Sequence, residues 1–389
     1  MKKFRFLSVV LSVLLLVGIL SGCASMKKYD GPVITGTIER VDEYGDLIPS
    51  FKVPEFNAKG FEYGDMLLVK IGDLKPMKMA YVTAYTDVGT MGICFCDYSK
   101  RGDEITIAIT NASFFDWIGG NEGDAIEVKL AEKAGFLDEY NNVQVILSNN
   151  RSDYASDEIF ANFRMVETTG IKKGVLYRAS NPLNAKKNKV RYTYVDKLAQ
   201  KAGIKTEIDL ADTTKVLEPV MAASDYNAPY CSALLKKGNV SLLGMKADFF
   251  LEESFQKIAE GLRFMLTHDA PYLIHCNEGK DRAGAFIMVL EALAGASIDE
   301  IKYDYMTTYV NYYTLDRNSN KYRDLEEITI DHLIYLFANP EKVKKLQTIN
   351  WDKVSTKGID IQKASENFLL NNVKLTPAEV AALKAKLTK

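Results

Sequence analysis

The chain has 389 residues, long for one domain and comfortable for two. Its 49 Lys and Arg balance 51 Asp and Glu, for a net charge of −2, so no global field draws it to nucleic acid or to anionic lipid and any anion preference must be local. The 47% hydrophobic content is ordinary for a globular protein, and 21 Tyr and 18 Phe supply material for substantial cores.

In chain order, residues 1–6 (MKKFRF) carry three positive charges and residues 7–20 are almost wholly apolar. A run of that length is short for a membrane span, and the small-residue exit Leu20-Ser-Gly-Cys23 reads as the end of a secretory signal. A cysteine at that exit resembles the lipobox of bacterial lipoproteins, which implies cleavage that leaves Cys23 as the acylated first residue. The expected partner is then a membrane, held through a lipid anchor, with the folded part outside the cytoplasm.

Residues 32–134 are short apolar stretches between Gly and Asp signals: Val33–Val41, Asp65–Ile71, Ala80–Ala84, Gly92–Cys96, Ile105–Ile109 and Asp124–Leu130. Short strands so punctuated predict a small all-β barrel or sandwich. Cys94 and Cys96 alternate in one of them, and we expect small buried hydrophobes rather than metal ligands. The segments Gly36–Ile48, Ile107–Ser113 and Gly123–Val128 resemble the C-terminal β-barrel of S-adenosylmethionine hydroxide adenosyltransferases. The larger N-terminal domain of that family has no counterpart here, so the resemblance implies a barrel fold and no adenosyl chemistry.

From about residue 150 the pattern changes. Strand-like runs at Lys172–Tyr177, Lys205–Leu210 and Pro271–His275 alternate with helical periodicity at Tyr194–Ala202, Ser254–Thr267 and Ala285–Ala294. Such alternation predicts a central, mostly parallel sheet flanked by helices. The last forty residues read as helical and polar, with Thr376 as a cap and Pro377 in the first turn.

The decisive stretch is His275-Cys-Asn-Glu-Gly-Lys-Asp-Arg-Ala-Gly284, placed between an apolar strand and a helix. A loop entering a helix N-terminus turns backbone N–H groups inward, and with the helix dipole it makes an anion site that also favours a thiolate at the strand end. Arg282 adds a planar fork suited to two phosphate oxygens. Gly279 and Gly284 allow a tight turn and close loop packing.

His275-Cys276-x5-Arg282 matches the signature of cysteine-dependent protein tyrosine phosphatases, and Gly279-Lys-Asp-Arg282 resembles the bacterial branch that also acts on phosphoinositides. Asn162-Phe-Arg164, Gly174–Pro182, Gly203–Leu210 and Asp304-Tyr-Met306 are similar to that family's landmarks, in its order. The resemblance implies hydrolysis of a phosphorylated protein, or of a lipid or inositol phosphate, through a cysteinyl-phosphate, with no cofactor and no metal. Cys276 is then the nucleophile, Arg282 and the loop residues Asn277, Glu278, Gly279, Lys280, Ala283 and Gly284 hold the phosphate, and His275 orders the cysteine or serves packing alone. Asp281 is the favoured general acid, with Asp209 and Asp212 as competitors.

Three positions depart from the family pattern. Ala211 stands where an arginine is usual, Glu278 where a small residue is common, and Ala283 where a Ser or Thr hydroxyl normally steadies the departing thiolate. Glu278 either repels highly phosphorylated substrates or points outward to pair with Lys280. The Ala283 departure leaves open a catalytically weak protein that binds phosphorylated ligands without turning them over. The expected organisation is a leader at 1–22, a lipidated tether at 23–31, the barrel at 32–134, a phosphatase-like α/β domain at 135–350 and a helical extension at 351–389.

Overall fold

The computed structural model describes residues 31–97 and 102–388. The expected leader at 1–22 and Cys23 lie outside the described residues.

Seven strands form a closed barrel: β1 (Val33–Val41), β2 (Leu47–Pro49), β3 (Met66–Ile71), β4 (Met77–Val82), β5 (Ile93–Asp97), β6 (Ile105–Ile109) and β7 (Ala125–Glu132). They follow one another around it in the order β1-β2-β6-β5-β4-β3-β7, antiparallel except where β4 meets β5. Strand β3 shows why the residues fit: Leu67, Val69 and Ile71 are fully buried while the intervening Leu68 is exposed, a period of two. An aromatic stack of Phe51, Phe56, Phe61 and Phe95, with Tyr81 edge-on to Phe56, fills the interior. Cys94 and Cys96 are free and fully buried in β5. The short strand β2 escapes sequence reasoning because three residues carry no readable period.

The second unit holds a five-stranded sheet of β8 (Arg164–Met165), β9 (Leu176–Ala179), β10 (Thr206–Asp209), β11 (Val240–Leu242) and β12 (Tyr272–His275). Its order is β11-β10-β12-β9-β8, with β8 antiparallel and the other pairs parallel. Central β12 delivers its last residue, His275, to the carboxyl edge of the sheet, where parallel α/β sheets place their ligand sites.

Helix Asp281–Ala294 follows directly, beginning four residues earlier than the periodicity predicts, so Asp281 and Arg282 stand in its first turn. Every residue from Ala283 to Ala294 on it is buried, as expected of a helix enclosed on all sides. Part of that enclosure comes from helices Ile361–Asn371 and Pro377–Thr388. They read as polar in sequence, yet they bury Phe368, Leu369, Leu383 and Leu387 against the core. Ser365 donates to the Val289 carbonyl at 2.8 Å, so these helices close the core rather than trail from it.

Candidate active site

Between β12 and the helix, residues 276–280 form a tight loop whose shape follows from where its carbonyls go. The His275 carbonyl accepts from Leu210 N at 3.0 Å and that of Asn277 from Asn181 N at 3.1 Å. The Glu278 carbonyl accepts from Asn162 Nδ2 at 2.9 Å, that of Gly279 from Arg178 Nη2 at 2.7 Å, and that of Lys280 from Gly284 N at 2.7 Å. In a trans peptide the N–H points opposite to the C=O, so carbonyls tied outward turn the loop's amides toward its hollow. Amides so turned, with the helix N-terminus behind them, can receive an anion.

Two glycines are required by geometry. Gly279 has φ +73°, and a β-carbon there would come within 2.2 Å of the Ala179 carbonyl oxygen. At Gly284 a β-carbon would lie 2.5 Å from the Tyr305 ring, so the helix could not approach helix Ile298–Tyr313 so closely.

Cys276 sits at the strand end, 3% exposed, and Arg282 reaches the same edge with its Nη1 donating to the Met245 carbonyl at 2.8 Å. A model of the tyrosine phosphatase family matches residues 160–389. The chain belongs to the tyrosine phosphatase family. Two solved structures are similar over parts of it. One is the core catalytic domain of PP-IP phosphatase SIW14 from S. cerevisiae in complex with citrate, at 19% identity, 48% of this chain, 94% of that chain and a TM-score of 0.26. The other is an uncharacterized conserved protein from Thermotoga maritima, at 24% identity, 25% of this chain and a TM-score of 0.23, and this chain spans 35% of that protein's length. No curated protein matches the sequence.

In this phosphatase-family chain the loop rests on a buried ionic network. Arg164 Nε meets Asp304 Oδ1 at 2.9 Å, Arg178 Nη1 meets the other Asp304 oxygen, and Arg164 Nη1 donates to Asn162 Oδ1 at 2.6 Å. Asp304 thus orients the two side chains, Arg178 and through Arg164 also Asn162, that hold the Gly279 and Glu278 carbonyls. Sequence reading marks Asn162, Arg164 and Asp304 as landmarks but cannot show that they serve one loop.

Beneath the loop lies a second polar cluster. His275 is fully buried, its Nδ1 3.9 Å from Asp209 Oδ1 and its Nε2 3.7 Å from Glu207 Oε2. Burial lowers the imidazole's pKa, but the two carboxylates outweigh it and hold His275 above its ordinary value. Asp209 accepts the Ala211 and Asp212 N–H groups on Oδ1 at 2.8 and 3.0 Å, and burial pushes its carboxyl upward. Asp212 is gripped by the amides of Asn181 and Asn184, both at 2.7 Å. Sequence reasoning missed Glu207, although a carboxylate two residues before Asp209 shares its face of the strand.

Asp281 is partly exposed, 3.8 Å from the buried Lys280 ammonium, in the first turn of the helix. Desolvation raises its carboxyl above the ordinary range, Lys280 and Arg282 pull it down, and Glu278 pushes it up, with a net rise. Lys280 is packed over the Tyr309 and Tyr313 rings and lies 3.5 Å from Glu278. Glu278 in turn accepts from Tyr313 Oη at 2.6 Å, so it pairs locally. Ala283 is fully buried in the cluster that also contains Cys276.

Proposed function

We propose that the protein is a phosphomonoesterase that hydrolyses phosphotyrosine-type esters through a cysteinyl-phosphate. The tied loop carbonyls carry this reading, because a trans peptide whose carbonyl is held on one side turns its N–H to the other, which leaves the amides between Cys276 and Arg282 free to face an anion. The Cys276 thiolate attacks phosphorus in line, the P–O bond to the leaving group breaks, and Asp281 delivers its proton to the departing oxygen. Water then attacks the thiophosphate, giving a proton back to Asp281 and releasing inorganic phosphate and the thiolate. Arg282 and the loop amides stabilise the equatorial oxygens in both steps. Both carboxyls are raised, and what favours Asp281 for the acid role is its place, partly exposed in the first turn beside Arg282, while Asp209 is fully buried beneath the loop and supports His275 and the turn.

Lys280 beside Arg282 is the feature that speaks for phosphoinositides or inositol phosphates, but its charge is already matched by Asp281 and Glu278. Steady-state rates on p-nitrophenyl phosphate, a phosphotyrosine peptide and phosphoinositide vesicles, in reductant, test the assignment. The peptide is expected to be preferred over the vesicles. No turnover of any of the three would overturn the proposal.

A second reading, a ligand-binding protein with weak turnover, is favoured by Ala283 alone. A hydroxyl at this position stabilises the thiolate as it leaves, and hydrogen bonds to charges contribute about 1.5–3 kcal/mol. Ala283→Ser is therefore expected to raise kcat by about tenfold, with a shorter-lived phosphoenzyme in rapid-quench labelling. A parent that binds phosphate but gains turnover only in Ala283→Ser supports the second reading.

We further infer an extracytoplasmic protein anchored through a lipid on Cys23, on the strength of the N-terminal sequence. Membrane fractionation of the parent against Cys23→Ala tests it, and an unchanged distribution would sink the inference.

A further inference from the structure

The barrel does not stand apart from the second unit. Between β6 and β7 it carries the short helix Phe114–Trp117, capped by Ser113, whose hydroxyl accepts from Asp116 N at 3.1 Å. From this corner Trp117 Nε1 donates to Asp248 Oδ2 at 2.6 Å, and Ser113 N donates to the same oxygen at 3.4 Å. A further tie fixes the seating elsewhere: Thr90 N donates to the Ile328 carbonyl at 2.7 Å, and a β-carbon on the neighbouring Gly89 would lie 2.3 Å from that oxygen.

Asp248 is buried within the segment 243–251, which runs from the end of β11 to helix Glu252–Thr267. The first half of that segment is tied to the end of β10, with Leu243 N donating to the Asp209 carbonyl and Met245 N to that of Leu210, both at 2.8 Å. In the second half Asp248 Oδ1 accepts Phe250 N at 2.9 Å, the Asp248 carbonyl accepts the Ser254 hydroxyl, and the Phe249 ring stacks on Phe368 at 5.7 Å. Lys246 and Ala247, between the halves, are exposed. The Met245 carbonyl receives Arg282 Nη1 at 2.8 Å, and among the described residues this is the one hydrogen bond that Arg282 makes. A carbonyl lies in one plane with the N–H of the next residue, so the Met245 N–H does not fix it; the plane it shares with exposed Lys246 is held from the far side, by Asp248.

We propose that Trp117 of the barrel and Asp248 are positioning residues for Arg282: their hydrogen bond clasps the segment 243–251 in the place from which the Met245 carbonyl aims the guanidinium. This rests on the phosphatase reading above, in which Arg282 holds the equatorial phosphate oxygens. A guanidinium held through one Nη keeps the edge made of Nε and the other Nη for two oxygens of a phosphate. When the clasp is opened the Met245 carbonyl is free to turn, and the fork loses its aim. The barrel is then a working part of the phosphatase site, not a spacer, and it acts on the arginine without touching it.

The test uses the full chain, with calorimetric titration of tungstate, turnover of p-nitrophenyl phosphate and urea unfolding of each variant. Trp117→Phe removes the indole N–H while keeping an aromatic ring, and is expected to lose about tenfold in kcat/KM and about as much in tungstate affinity. Asp248→Asn keeps the shape but turns one accepting oxygen into a donor; it should lose in the same two quantities, and it carries the test if Trp117→Phe does not fold. Because both changes open one clasp, the double variant should lose no more than the larger single loss. On an Arg282→Ala background, where the Met245 carbonyl has nothing to aim, neither change should weaken the residual tungstate affinity further. Val128→Ala, at a fully buried position in β7, should lower the urea midpoint and leave tungstate affinity at the parent value.

Parent-like affinity and kcat/KM in the clasp variants, a loss that persists in full on the Arg282→Ala background, or an equal loss in Val128→Ala would each overturn the assignment and leave the phosphatase reading standing. A parent that neither binds tungstate nor turns over the ester overturns the phosphatase reading itself, and this assignment with it.

Discussion

Cys276→Ser is expected to lose turnover of phosphate esters by about 10⁴-fold or more, while inorganic phosphate or tungstate still binds within a few-fold of the parent affinity. The two halves of that expectation come from different parts of the site. Attack on phosphorus needs an anionic sulfur, and a serine hydroxyl at the same place is neutral at ordinary pH. In the proposed mechanism binding depends on the loop amides and on Arg282, and the loop is held by Asn162, Asn181 and Arg178 through its carbonyls rather than through the thiol. Isothermal titration with tungstate, beside p-nitrophenol release, separates the two. Retention of more than about one part in a hundred of the parent rate would remove Cys276 from the mechanism.

Asp304→Asn is expected to cost about 3–5 kcal/mol of folding stability at neutral pH, the range for breaking a buried ion pair on one side. Asp304 is buried and faces two guanidinium groups, those of Arg164 and Arg178, the latter only 1% exposed. An amide of the same shape keeps the packing but leaves both cations short of a counter-charge. Burial raises the Asp304 carboxyl, yet Arg164 and Arg178 outweigh it, so the folded value lies below the ordinary one. A carboxyl depressed on folding stabilises fully above its unfolded pKa of about 3.9 and loses that contribution as the pH falls through the folded value. Urea unfolding curves of parent and variant should therefore lie far apart at neutral pH and converge in acid. A constant gap at all pH values would mean that the loss is one of packing and not of charge. Activity should fall as well, because Arg178 holds the Gly279 carbonyl and Arg164 braces Asn162, which holds that of Glu278.

The chain's local chemistry was legible without the structure. Alternation in Leu67, Val69 and Ile71 marks a strand because side chains alternate across a sheet, and the apolar run Tyr272–Ile274 ahead of Cys276 marks a buried one. Gly279 announces a turn because φ +73° suits glycine, and the spacing of Cys276 and Arg282 announces the tyrosine phosphatase family that the chain belongs to. Each of these depends only on near neighbours in the chain, so each could be read from it.

What the tertiary structure decided is everything set by approach across distance. Asn162 and Arg178 reach the loop from 116 and 101 residues away, and no periodicity records that their donors meet the carbonyls of Glu278 and Gly279. Glu207 and Asp209 flank His275 only because β10 lies beside β12 in parallel register. The closing helices looked polar because only one face of each is apolar, and which face is inside depends on the helix Asp281–Ala294 beneath them. Local sequence determined the strand, the turn and the residue types that the loop presents, through backbone geometry and side-chain periodicity. Packing between distant segments decided which side chains hold that loop in place.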